Sequence, residues 1–119
     1  MTGRWRSVLV CRGCCCGTDK HRHVPHGAHR AALQRAARRA GAICQVTGCL
    51  DRCEASNVVV LRRSAADGAV ETIWLGRVLS AATVGLVCSW LERGGEMPAG
   101  LRRHRIAAPG EPVPAAFAK

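Results

Sequence analysis

The sequence predicts an α/β domain in which about four strands form one mixed sheet with flanking helices, in the order β-α-β-loop-β-β-α. Three observations carry this. Short apolar, β-rich runs recur at residues 6–10, 42–47, 58–61 and 71–75. Two longer stretches, Ala28 to Ala40 and Ala81 to Arg93, repeat apolar residues at helical spacing. The first helical stretch separates two strand candidates, as a parallel crossover requires, whereas Asp67-Gly68 joins the last two as a tight hairpin.

Each element follows from local chemistry. RSVLV, residues 6–10, reads as a short strand delivering the chain to Cys11. Gly13, Gly17, Pro25 and Gly27 mark a loop. On the following helix Ala32, Leu33, Ala36 and Ala40 share one face. Arg30, Gln34, Arg35, Arg38 and Arg39 occupy the remainder, and Gly41 is the C-terminal stop. AICQVT places Ala42, Cys44 and Val46 on one side of a second strand. The loop from Gly48 to Asn57 leads to Val58-Val59-Val60-Leu61, a continuous apolar run suited to a strand covered on both faces. ETIWL, residues 71–75, returns as its hairpin partner. Ser80 caps a second helix with an inward stripe of Val84, Val87, Cys88 and Leu91, and Gly94-Gly95 ends it. Residues 1–96 thus form the domain, and the Pro-, Ala- and Arg-rich residues 97–119 are expected to be a disordered tail. This element order is the plan of a thioredoxin-like fold.

Composition narrows the chemistry. The 119 residues are 48% hydrophobic but only 3% aromatic, so Val, Leu, Ile and Ala must build the core. The longest apolar stretch, Ala81 to Leu91, is about half the ~20 residues of a spanning helix. The run Val8-Leu9-Val10 is too short for a secretory signal, so the protein is expected in the cytoplasm and away from membranes. Eight cysteines in a reducing compartment argue for metal or redox chemistry before structural disulfides. With eight acidic residues and no Ser-His-Asp pattern or phosphate loop, carboxylate, triad and phosphoryl chemistry are disfavoured. The formal charge is +10, and residues 1–40 hold nine basic side chains against Asp19 alone. Charge of this kind speaks to association and solubility, not to reaction.

The cysteines sort by context. Cys44 on a strand face and Cys88 on a helical apolar stripe read as small core hydrophobes. The other six lie in two loops, each following a strand: Cys11 with Cys14, Cys15 and Cys16, then Cys49 with Cys53. If those strands are parallel neighbours, both loops leave the same end of the sheet, and a thiol pair from each supplies a four-thiolate metal site. Three consecutive side chains diverge and cannot all reach one centre, and spacing alone leaves Cys14, Cys15 and Cys16 open as partners of Cys11. Gly13, Gly17 and Gly48 let backbone N–H groups come close to sulfur. His21, His23, His26 and His29 read as solvated surface ahead of the helix rather than as ligands.

VLVCRGCCCG followed by CLDRCEASNVVVL resembles the thioredoxin-like [2Fe–2S] ferredoxins, which are similar to the small iron–sulfur subunit of respiratory NADH dehydrogenases. The likeness covers roughly residues 7 to 93, and its more specific half is the Cys-x3-Cys before a Val-rich strand. It implies a [2Fe–2S] cluster bound by Cys11, Cys16, Cys49 and Cys53, with Cys14 and Cys15 as departures from the family frame. The implied function is one-electron transfer, not an enzymatic reaction. The expected partner is a reductase or oxidoreductase with an acidic docking surface facing Arg12 and Arg52. A homodimer stays open.

Two other classes compete. A thiol-disulfide oxidoreductase would use Cys11 and Cys14 as C-x-x-C. It has no need of Cys49 and Cys53, lacks a cis-Pro candidate before Val58, and has a long loop that keeps the helix N-terminus from its thiols. A basic zinc module would use four of the loop cysteines. It lacks a recognition helix, and Trp5, Trp74 and Trp90 are dispersed, so nucleic acid is disfavoured as a partner.

Overall fold

Strand β1, Trp5–Cys11, is the hub of the sheet: it pairs in parallel with β2, Ile43–Thr47, and antiparallel with β3, Val59–Ser64. The structure is a computed structural model that describes residues 4–11, 24–48, 57–65 and 68–107. β4, Val70–Leu75, pairs antiparallel with β3, and β5, Arg105–Ile106, pairs antiparallel with β4. The order across the mixed sheet is β2-β1-β3-β4-β5. Helix α1, His26–Arg39, makes the crossover between the parallel strands, and α2, Ala81–Arg93, follows β4. No helix among the described residues is long and apolar enough to cross a membrane.

The helix boundaries follow from capping chemistry. The Ser80 side chain accepts from the Thr83 N–H at 3.1 Å, giving one orphan donor of α2 a partner. Gly94 ends that helix at φ +70°, a backbone region costly for residues with a Cβ. Gly41, at φ +75°, plays the same part after α1.

Both helices lie on one face of the sheet. There Val8, Val10, Val59, Leu61, Ile73 and Leu75 meet Leu33, Ala36 and Ala37 of α1 and Val84, Val87, Trp90 and Leu91 of α2. Burying each of the larger side chains is worth about 1.5–3 kcal/mol. The opposite face carries a smaller cluster of Cys11, Val58 and Val60, with Leu9, Trp74 and Ile106 packed beside it.

Three features depart from the sequence expectation. The first concerns the segment from Met97, expected to be a disordered tail. Residues 99–104 form a 3-10 helix whose Leu101 is fully buried, residues 105–106 add the fifth strand, and Ala107 is buried. Leu101 and Ile106 supply apolar anchors that the surrounding Pro, Gly and Arg obscure in sequence. Residues 108–119 lie outside the described residues.

The second is Trp5. Strict alternation would place it with Leu9 and Cys11, away from the helices. A register shift between Trp5 and Ser7 turns it to the helix side, where its ring meets Trp90 edge-on, 4.9 Å between centroids. Two of the tryptophans are therefore paired rather than dispersed. The buried Arg63 guanidinium stacks on both rings at 4.9 and 5.1 Å, pairs with Glu71 and donates to the Gly95 carbonyl.

The third is His29, which is buried on α1 with Leu33, Ala36 and Ala37 rather than solvated. It lies one turn before Leu33, on the same inward face.

Candidate metal centre

The site is built at the end of the sheet where β1 and β2 stop. Their parallel register pairs Cys11 with Thr47, so the two strands end level and the loops that follow them start side by side. Cys11 is 2% exposed. Its S–H donates to the Gly48 carbonyl at 3.3 Å, and its N–H donates to the Val58 carbonyl at 3.1 Å. Segment 49–56, with Cys49 and Cys53, therefore leaves and re-enters the described structure at residues that touch or adjoin a residue touching Cys11.

The loop after Cys11 is closed at the same place. It returns at Val24, and two residues later Asn57 Nδ2 donates to His26 Nδ1 at 2.9 Å. The buried Asn57 also accepts, through its carbonyl, the Val78 N–H at 3.0 Å, which ties the loop ends to the segment after β4. Both cysteine loops are thus held at both ends around one corner. His26, expected as solvated surface, is instead partly buried and bonded to Asn57, a residue the sequence marks only as the end of a loop. The one signal was a polar residue directly before a fully apolar run.

Of the expected ligands, Cys11 is placed at this corner. Cys14, Cys15, Cys16, Cys49 and Cys53, with His21, His23, Arg12 and Arg52, lie outside the described residues. Among the described residues no group of three or more His, Cys, Asp or Glu side chains could hold a metal ion. Cys44 pairs with Val8, three rungs or about 10 Å from the Cys11 rung, and packs against the helix-covered face opposite Cys11. Cys88 lies between the helices and donates its S–H to the Ala32 carbonyl at 3.6 Å. Burial first, then the nearby Glu92 carboxylate, push its pKa above the ordinary thiol value. Both are partly buried and pack against the core rather than within it.

Two details differ from expectation. Gly48 presents its carbonyl, not its N–H, to the Cys11 sulfur. That contact suits a protonated thiol. A metal-bound thiolate has no proton to donate, so ligation by Cys11 must release a proton and displace the Gly48 carbonyl. The N-terminus of α1 is also closer than the loop length suggests, because its first residue, His26, is bonded to Asn57 at this corner. The first turn holds no acidic side chain, and the positive end of the helix dipole favours anions here.

No protein-family model, curated protein or solved structure matches this chain.

Proposed function

We propose that this protein is a one-electron carrier that holds a [2Fe–2S] cluster through Cys11, Cys16, Cys49 and Cys53. The observation that carries the reading is the closure of both cysteine loops on Cys11, through the Gly48 and Val58 carbonyls and the His26–Asn57 bond. Cys11, with the five cysteines of the two segments whose described ends meet at this corner, offers enough thiolates for a four-thiolate iron site by donor chemistry. The sheet order β2-β1-β3-β4, with β1 and β2 parallel and joined through α1, supports the thioredoxin-like form of the α/β fold.

When bound, the cluster supplies a reversible one-electron couple. The chain's own residues contribute the surroundings. Val58, Val60 and half-buried Trp74 keep water from the Cys11 side, and the α1 N-terminus offsets negative charge. Burial of Cys11 also argues against its use as the attacking thiol of an oxidoreductase, because such thiols sit in partly exposed, electropositive pockets.

The test is anaerobic purification with iron, sulfide and zinc analysis and a visible spectrum. About two irons and two sulfides per chain, with a chromophore that bleaches on reduction, are expected. Stoichiometric zinc without colour replaces electron transfer with a structural metal role. Metal-free protein with a reactive dithiol at Cys11 and Cys14 replaces it with thiol-disulfide exchange.

A further inference from the structure

β2 is an outer strand, and its far edge pairs with no other described strand. Edge strands ordinarily carry charge, proline or a bulge that blocks further pairing. ICQVT has no charge and no proline, and its ladder with β1 is regular. It exposes Ile43 by 65% and Val46 by 45%, two of the three exposed large apolar side chains among the described residues.

A basic row runs beside this edge. A cavity of about 270 Å³ between α1 and β2 is lined by Gln34, Arg38, Ala42 and Cys44. Gln34 and Arg38 are one helical turn apart, and Arg30 lies one turn before Gln34, so the three form a single row along α1. Arg30 and Arg38 are exposed and enter no ion pair among the described residues, and α1 contains no acidic residue. Arg30 and Arg38 are separated by about 12 Å along the helix axis. Two residues four apart on a strand are separated by about 13 Å.

We propose that the β2 edge receives an extended acidic segment of a partner protein as an added strand. Two of its carboxylates, four residues apart, meet Arg38 and Arg30. Main-chain hydrogen bonds supply the docking, and the arginine row supplies register and charge selectivity. A second copy of the chain is the poorer occupant, because joining two β2 edges brings together two α1 rows that carry arginines and no acids. A polyanion without a peptide backbone meets the arginines but leaves the strand edge unused. The inference stands whether or not the cysteine loops bind metal.

The probe is a fluorescein-labelled peptide, Ser-Glu-Val-Thr-Val-Glu-Ser, which reads the same in both directions and so fits parallel or antiparallel addition. The control, Ser-Val-Glu-Thr-Glu-Val-Ser, has the same composition with both glutamates on the other strand face. By fluorescence anisotropy the probe should bind about fivefold more tightly than the control. Its binding should slow amide exchange across residues 43–47. Arg38→Glu and Arg30→Glu, at exposed positions, should each abolish the preference while leaving far-ultraviolet dichroism unchanged. Equal affinity for both peptides, no binding at about millimolar peptide, or protection away from β2 overturns the proposal. So does a concentration-dependent dimer that protects residues 43–47 without peptide. A single-stranded oligonucleotide that displaces the probe and binds more tightly overturns it in favour of nucleic acid.

Discussion

Serine at Cys11 separates metal ligation from packing, because the proposed site uses the Cys11 sulfur as a ligand and the fold also buries it, whereas Cys88 only packs. Cys11 is almost fully buried, and its S–H is bonded to the Gly48 carbonyl at 3.3 Å. Serine keeps a donor for that carbonyl but exchanges apolar sulfur for a hydroxyl, at a cost of about 1 kcal/mol. Unfolding entropy of about 2.1 cal/mol/K per residue makes that a fall of about 4 °C in Tm for a chain of 119 residues. Cys88→Ser, with its S–H on the Ala32 carbonyl at 3.6 Å, should cost a similar or smaller amount. The folding comparison belongs on metal-free protein, since a bound group would itself raise Tm. The assay pairs thermal melts with iron and sulfide content after anaerobic purification. Cys11→Ser is expected to lose stable iron binding, and Cys88→Ser to keep it. Loss of iron in a folded Cys88→Ser protein, or a wild-type chromophore in Cys11→Ser, refutes the assignment of these two thiols.

Three further outcomes follow from packing and charge. Leu101→Ala removes a fully buried side chain from the 3-10 helix and should cost about 2–5 kcal/mol in urea unfolding. An effect under about 0.5 kcal/mol would mean that the segment after Met97 does not belong to the core. Arg63→Ala removes the cation that lies over both Trp5 and Trp90 and should destabilise by about 3 kcal/mol and alter the near-ultraviolet dichroism of both rings. Glu71→Gln should cost only about 1 kcal/mol, because that carboxylate is 43% exposed and water can take its place. The Cys88 thiol is pushed above its ordinary value of 9.0, so its neutral form is the one the fold favours. Its stabilisation is complete below that unfolded value and is lost as pH rises through the folded one. Stability measured upward from about pH 9 should therefore fall less steeply in Cys88→Ala than in the parent.

Much of the fold is legible because the signals are local. Val59 to Leu61 is buried on both faces as a continuous apolar run requires, and Gly41, Ser80 and Gly94 end or begin helices by their own backbone and side-chain chemistry. The parallel pairing of β1 and β2, and with it the shared corner for the two cysteine loops, is implied by a helix lying between two strands. Misread residues are those whose state depends on a distant neighbour. His29 looks polar but falls on the inward face of α1. Leu101 looks isolated among Pro, Gly and Arg until it meets the core beneath α2.

The order of side chains is enough to set the alternation of elements, the cap residues, the cysteine spacing and the separation of Cys44 and Cys88 from the loop thiols. Periodicity and backbone preference act within a few residues, so they are written in the order of the side chains. Only the assembled sheet sets the register shift that turns Trp5 onto Trp90, the place of Arg63 over both rings, and the bond by which Asn57 and His26 join the loop ends. Those contacts join residues tens of positions apart. Their energies depend on distances and burial that exist only once the sheet has assembled.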